Sequence, residues 1–140
     1  NKIDDIFING CCFILVETKQ NSGHWIAVFK LDNKNIEVFT SYGGFPDMEL
    51  YYVPENIRES LGEDYPHLTA LLLNSKYNVH YNDYPLQSKS QNIATCGRHC
   101  IIRVKNKKYD IDTYAKILMG SGQNPDKIVT ELTLKMVNGM

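Results

Sequence analysis

The 140-residue sequence, 43% of it hydrophobic, suits one domain over residues 1–140 rather than two. Its 15 basic and 16 acidic residues give a formal net charge of −1, which excludes the strongly basic balance of a nucleic-acid-binding or membrane-attracting chain. The longest apolar runs are far too short to cross a bilayer and no signal-peptide pattern opens the chain, so we expect a soluble protein without membrane partners.

The first third of the chain predicts an antiparallel meander. Apolar runs at 10–17, 24–31 and 35–40 are separated by polar turns, and a Gly-containing turn from Ser41 to Pro46 follows the last of them. Strands joined by short turns pair with their sequence neighbours, so we expect a mostly antiparallel central sheet.

The rest of the chain predicts mainly helices, and the order of elements therefore predicts an α+β fold. Apolar positions at 96, 100, 101 and 104 share one helical face, so the helix that begins at Cys96 should be buried against the sheet. The predicted elements are helices at 54–61 and 66–76, a strand at 77–81, a polar loop at 85–95, and helices at 96–104, 110–119 and from Asn124 onward.

Cys96 is a candidate nucleophile because of its position at a helix start. Unpaired backbone N–H groups and the positive end of the helix dipole favour a thiolate there. Gly97 removes a side chain at the same point, so a substrate carbonyl could approach amides that form an oxyanion hole. The alternative for Cys96 is a buried structural cysteine, which is the commoner fate of a free thiol.

The other three cysteines are interpreted as structural. Cys100 lies one turn after Cys96 and points to the core, whereas Cys11 and Cys12 face opposite sides of one strand. These positions make a poor disulfide framework, which indicates free thiols in a reducing compartment. A zinc site of Cys96, His99 and Cys100 would lack a fourth ligand, so we expect no metal and no cofactor.

His24 is the candidate general base among four histidines. It opens a strand after a polar loop and precedes Trp25, the only Trp in the chain. An ordinary strand-edge histidine is the alternative. His67, His80 and His99 are interpreted as structural.

Four segments, at 23–29, 37–44, 86–87 and 95–99, follow the order His, acid position, Gln, Cys. In this order they resemble the adenovirus-protease and SUMO-protease clan of cysteine peptidases. More narrowly, Tyr-Asn-Asp-Tyr-Pro-Leu-Gln at 81–87, followed by Asn-Ile-Ala-Thr-Cys-Gly-Arg-His at 92–99, is similar to capsid-maturation proteases of virophages, Polinton-like elements and large DNA viruses. The resemblance covers most of residues 10–135.

The resemblance implies a papain-type fold of the adenovirus-protease kind in which His24 deprotonates Cys96 and later protonates the leaving amine. A Gln shortly before the cysteine would donate its amide to the oxyanion. Gln87 matches best by its Leu-Gln context, with Gln91 as the alternative. Trp25 would wall the cleft and bring its backbone N–H near the oxyanion, where Gly97 leaves room.

Thr40 departs from the family pattern, which places Asp, Glu or Asn just before Ser-Tyr-Gly. Three explanations stay open. The enzyme works as a Cys-His dyad with Thr40 or a water as the acceptor that orients the imidazole. Alternatively Glu37 or Asp47 supplies the acid, although a simple hairpin register pairs Glu37 with Lys30. In the third case the site is degenerate.

The leading functional hypothesis is an endopeptidase that cleaves viral capsid or other structural precursors near Gly-containing sites, in the virion and the host cytoplasm. We expect it to be a monomer; the sequence gives no independent support for nucleic-acid binding, and whether DNA or a peptide activates it stays open. One alternative is an isopeptidase that removes ubiquitin or SUMO-like modifiers. The other is a non-catalytic scaffold that lost the acid at Thr40.

Overall fold

Three consecutive strands form the antiparallel part of the sheet, as predicted. The computed structural model describes residues 3–19, 22–45, 53–62, 65–88 and 95–138, and a short 3-10 helix at Ile3–Ile6 precedes the first strand. The strands are β1 (Cys11–Lys19), β2 (Ser22–Lys30) and β3 (Asn35–Phe39). The Asp32 carboxylate holds the turn between β2 and β3, because it accepts hydrogen bonds from the backbone N–H groups of Lys34 and Asn35.

The fourth strand makes the sheet mixed rather than purely antiparallel. β4 (Asn78–Tyr81) pairs with β3 in parallel, with Ile36 opposite Val79, and the order across the sheet is β1-β2-β3-β4. The chain between β3 and β4 includes two helices, α1 (Glu55–Ser60) and α2 (His67–Leu73). A parallel pair requires such a long crossover, so the expected antiparallel arrangement holds for two of the three strand pairs.

Both faces of the sheet are covered. In β2, Ala27 and Phe29 point to one side and Ile26 and Val28 to the other, and all four are at most 1% exposed. α3 (Cys96–Lys105) packs on the side of Ala27 and Phe29. The prediction of a buried helix with Cys96 at its N-terminus is therefore confirmed.

Two capped helices follow α3. α4 (Ile111–Met119) begins after Asp110, whose carboxylate accepts from the backbone N–H of Thr113. α5 (Pro125–Val137) begins after Asn124, whose side-chain oxygen accepts from the backbone N–H of Asp126. Caps of this kind stabilise a helix by about 1 kcal/mol. No helix in the described part of the chain has the length and apolar character needed to span a membrane.

A buried ion pair anchors α3 to the sheet. Nε and Nη2 of Arg103 each lie 2.7 Å from an oxygen of Glu37 on β3, and both side chains are at most 1% exposed. The expected pairing of Glu37 with Lys30 is wrong, because the register places Glu37 opposite Phe29 and Lys30 opposite Ile36. Glu37 is consequently committed to Arg103 and is not the acid that orients His24.

Candidate active site

Cys96 lies where α3 meets β2. Its sulfur accepts a hydrogen bond from the backbone N–H of Trp25 at 3.3 Å, and its side chain is half-buried. One turn further on, the thiol of Cys100 donates to the backbone carbonyl of Trp25 at 3.4 Å. The two cysteines thus hold both backbone groups of Trp25, which fixes the nucleophile candidate beside the residue that follows His24.

Gly97 is not required by the packing of the protein itself. A Cβ added at Gly97 would lie 3.7 Å from Cδ1 of Trp25, an ordinary van der Waals distance. The indole is 42% exposed, so it borders the start of α3 from the solvent side. The absence of a side chain at Gly97 therefore leaves space for a ligand rather than relieving a clash.

His24 and Thr40 are in contact. Nε2 of His24 lies 2.8 Å from Oγ1 of Thr40, and the two side chains are 5% and 1% exposed. The ring of Tyr42 stacks on the imidazole with centroids 4.4 Å apart and an angle of 21° between the planes. Thr40 thus contacts the imidazole through a hydroxyl, at the position where the resemblance implies a carboxylate.

The site keeps His24 neutral. Burial removes the imidazole from water and lowers the pKa of His24 from 6.5 to about 4, and the nearby His99 contributes in the same direction. A neutral imidazole has one donor nitrogen and one acceptor nitrogen. If Nε2–H donates to the Thr40 hydroxyl, Nδ1 is the nitrogen that can take a proton.

Gln87 is held by Ser41, which lies directly after Thr40 in the turn that follows β3. Its side-chain oxygen accepts from the Ser41 hydroxyl at 2.5 Å, and its backbone N–H donates to the Ser41 carbonyl at 3.0 Å. This contact identifies the oxygen end of the amide, so the nitrogen end faces away from Ser41. The alternative donor Gln91 and the alternative acid Asp47 lie outside the described residues.

Asn82 connects the turn after β3 with the segment that leads to Gln87. Its amide nitrogen donates to the carbonyls of Thr40 at 2.8 Å and Tyr84 at 2.9 Å, and its oxygen accepts from the backbone N–H of Tyr84. Asn82 is fully buried. Sequence reasoning did not select Asn82 or Ser41, because the contacts of Asn82 with Thr40 and of Ser41 with Gln87 each join residues more than 40 positions apart in the chain.

His99 forms a second buried pair that sequence reasoning also missed. Its Nε2 lies 2.8 Å from Oδ1 of Asp126 at the start of α5, and the His99 side chain is fully buried. Burial lowers the pKa of His99, although the hydrogen bond to Asp126 opposes this. Burial by itself would raise the pKa of Asp126, but the donors around its carboxylate lower it overall. The Asn-Pro-Asp start of α5 marks Asp126 as a helix-start residue but does not specify His99 as its partner.

The remaining cysteine and histidine side chains lie at separate positions in the fold. All four cysteines are free, and burial raises the pKa of Cys100 and of Cys12. His67 is exposed on α2, and His80 contacts Asn35. The described residues bring together no group of three His, Cys, Asp or Glu side chains that could hold a metal ion, and the zinc set of Cys96, His99 and Cys100 is not assembled.

Comparison with known proteins finds a relative from a virophage. The chain is 39% identical over 137 residues to "Uncharacterized protein V9" of Sputnik virophage, covering 94% of this chain and 78% of the relative. The chain belongs to the V9 family of virophage proteins. No protein-family model matches it, and neither does any solved structure. Membership of the V9 family supports the virophage part of the resemblance, whereas the peptidase part stays a prediction.

Proposed function

We propose that this V9-family chain is a cysteine endopeptidase with Cys96 as nucleophile and His24 as base. The observation that carries the proposal is the hydrogen bond from the backbone N–H of Trp25 to the Cys96 sulfur at 3.3 Å. It joins the N-terminus of α3 to the strand residue directly after His24. A thiol at a helix start, hydrogen-bonded to the residue that follows a buried neutral imidazole, supplies the two kinds of group that nucleophilic catalysis by cysteine needs.

The proposed reaction begins with transfer of the Cys96 thiol proton to Nδ1 of His24, since Nε2 is engaged by Thr40. The sulfur then attacks the scissile carbonyl carbon, and the carbonyl oxygen becomes an oxyanion. Imidazolium Nδ1–H protonates the departing amine as the C–N bond breaks, leaving a thioester on Cys96. Water, deprotonated by the same imidazole, hydrolyses this thioester and releases the acid product.

We propose two groups as donors to the oxyanion. One is the backbone N–H of Cys96 at the start of α3, where helix N–H groups have no intrahelical partner. The other is the amide nitrogen of Gln87, whose oxygen end is held by Ser41. Loss of a single donor of this kind typically costs a factor of about 100 to 1,000 in kcat.

Thr40 makes the proposed enzyme a Cys-His dyad with a hydroxyl as orienting group. A hydroxyl can fix the imidazole plane by accepting from Nε2–H, but it cannot stabilise the imidazolium as a carboxylate does. The low pKa of His24 agrees with this, because burial disfavours the cation. The proposed resting state therefore has a neutral imidazole at His24.

The surroundings of the site favour a slender peptide substrate. The exposed indole of Trp25 lies beside the helix start at Gly97. Tyr42, which stacks on His24, also lines a depression of about 320 Å³ together with Gly43, Gly44 and Phe45. We therefore propose cleavage near small residues such as Gly, and the relationship to a virophage protein favours viral capsid or other structural precursors, in the virion and the host cytoplasm, as the context. The papain-type fold of the adenovirus-protease kind is part of this proposal.

The experiment that tests the function uses a peptide vinyl sulfone and a fluorogenic peptide amide, each ending in Gly-Gly. We expect the vinyl sulfone to modify Cys96, as mapped by mass spectrometry, and Cys96→Ser to lose both labelling and turnover. The partly exposed Cys11 and Cys12 serve as internal controls that should stay unmodified. Turnover of a ubiquitin-like fusion but not of the peptide would favour the isopeptidase alternative, and absence of labelling and turnover would favour the scaffold.

A further inference from the structure

Asp126 places one carboxylate between three parts of the chain. Its Oδ1 accepts from Nε2 of His99 at 2.8 Å and from the hydroxyl of Thr95 at 2.6 Å. Its Oδ2 accepts from the backbone N–H of Ser88 at 3.0 Å. Asp126 is only 6% exposed, so these three donors replace water around its buried charge.

The three donors lie next to residues of the proposed mechanism. Ser88 directly follows Gln87, Thr95 directly precedes Cys96, and His99 lies one turn further along α3. One carboxylate therefore holds both ends of the segment that separates the proposed oxyanion donor from the proposed nucleophile.

The Thr95 hydroxyl has a second consequence for the start of α3. Thr at an N-cap position normally accepts from a backbone N–H of the first turn. Here the Thr95 side chain makes no capping hydrogen bond to α3, and its hydroxyl is oriented towards Asp126, to which it donates. The contact with Asp126 thus keeps a competing oxygen away from the amides that an oxyanion would use.

Stability of the helix end does not account for this arrangement. Asn124 already caps α5 with its own side chain, so the Asp126 carboxylate is not needed as the cap. Nδ1 of His99 is buried and has no partner among the described residues, which is a cost that the fold accepts for the contact of Nε2 with Asp126. Both observations favour a role at the site.

We propose that Asp126, acting through Thr95, His99 and the backbone of Ser88, is a positioning residue that sets the geometry between the Gln87 amide and the start of α3. This inference rests on the proposed peptidase function. Asp126 touches neither substrate nor the reacting atoms; it keeps the oxyanion site assembled and open. Its loss should therefore slow a reaction that forms an oxyanion and spare one that does not.

The test compares Asp126→Asn with Asn124→Ala, a matched variant that weakens the same helix end without touching the carboxylate. For each, kcat and KM are measured on the fluorogenic Gly-Gly peptide amide, and the rate of Cys96 alkylation by iodoacetamide is measured separately. Alkylation forms no oxyanion, so it reports the thiol alone. We expect Asp126→Asn to lower kcat by about 10-fold to 100-fold, with KM and the alkylation rate within about threefold of wild type.

Asn124→Ala should leave kcat within about twofold of wild type, and Asp126→Glu should recover part of the lost kcat. Equal kcat for Asp126→Asn and Asn124→Ala in an active protein would overturn the positioning role while leaving the peptidase intact. Parallel loss of kcat and alkylation in Asp126→Asn would also overturn it, because a general loss of structure would then explain the effect. A wild-type chain that neither cleaves the peptide nor alkylates faster at Cys96 than at Cys12 would overturn both proposals.

Discussion

Replacing Thr40 by Asp would install the carboxylate that the site lacks. The two side chains are similar in size, and Oγ1 of Thr40 already lies 2.8 Å from Nε2 of His24. The backbone carbonyl of Thr40, which accepts from Asn82, is unaffected by the change. Asp at this position should therefore contact the imidazole without rearrangement of the turn.

The magnitude follows from the pKa of His24, which burial lowers to about 4. An opposite charge in contact with a titratable group shifts its pKa by about 1 to 3, so His24 in Thr40→Asp should titrate at about 5 to 7. Each pKa unit corresponds to about 1.4 kcal/mol of imidazolium stabilisation. The new carboxylate should stabilise the transition state, in which His24 is protonated. We therefore expect kcat/KM at pH 7 to rise by about tenfold.

The assay is the pH dependence of kcat/KM, which reports the base of the free enzyme. Wild type should lose activity on an acid limb near pH 4, whereas Thr40→Asp should lose it at about pH 5 to 7. Thr40→Val, the matched control, removes the hydroxyl without adding charge; it should lower kcat/KM and leave the acid limb at or below its wild-type position. An acid limb that is unchanged in Thr40→Asp would refute the view that Thr40 orients the catalytic imidazole.

Three further predictions concern the nucleophile, the base and the turn that supports them. Gly97→Ala should leave the free energy of unfolding unchanged or raise it by up to about 1 kcal/mol, since Ala favours helix and fits beside Trp25. It should nevertheless lower kcat at least tenfold. Urea unfolding measures the stability and peptide turnover measures kcat; an unchanged kcat would contradict the proposal that substrate occupies the space beside Gly97. Because the pKa of His24 is about 4 when folded and 6.5 when unfolded, its contribution leaves stability unaffected above pH 6.5 and removes up to about 3 kcal/mol as pH falls to 4. Urea unfolding of wild type and His24→Gln between pH 7.5 and 4.5 measures this, and parallel pH profiles would contradict it. Asn82→Ala should destabilise the fold by about 2 kcal/mol or more, because it removes a buried amide that donates to the carbonyls of Thr40 and Tyr84 and accepts from the backbone N–H of Tyr84. Thermal unfolding with a loss below about 0.5 kcal/mol would contradict the role of this amide.

Most elements could be predicted from the sequence because their signals are local. Alternating apolar runs and polar turns mark β1 to β3, and the Asn-Pro start of α5 is a cap with Pro at the first position. The parallel pairing of β4 could not be predicted in this way. The sequence at 78–81 predicts a strand, but its parallel pairing with β3 depends on the path of the connection through α1 and α2.

The site residues also differ in whether the local sequence identifies them. Cys96 and His24 carry local signals, namely a helix start and a strand start after a polar loop. The contact of His24 with Thr40 did not follow from a simple register, because Ala27 pairs with Phe39 and Thr40 lies just beyond the end of β3. His99 on α3 and Asp126 on α5 are 27 residues apart in the chain, and the sequence around either residue does not specify the other as its partner.

The most direct test of the account is the rate of Cys96 alkylation by iodoacetamide between pH 4 and 9, in wild type and in His24→Ala, with Cys12 of the same molecules as reference. The account predicts that Cys96 reacts faster than Cys12 between about pH 5 and 7, since His24 stays neutral there and can take the thiol proton. In His24→Ala this advantage should disappear. If Cys96 and Cys12 react alike in wild type, or if His24→Ala retains the advantage, Cys96 and His24 do not form an activated pair and the peptidase proposal fails.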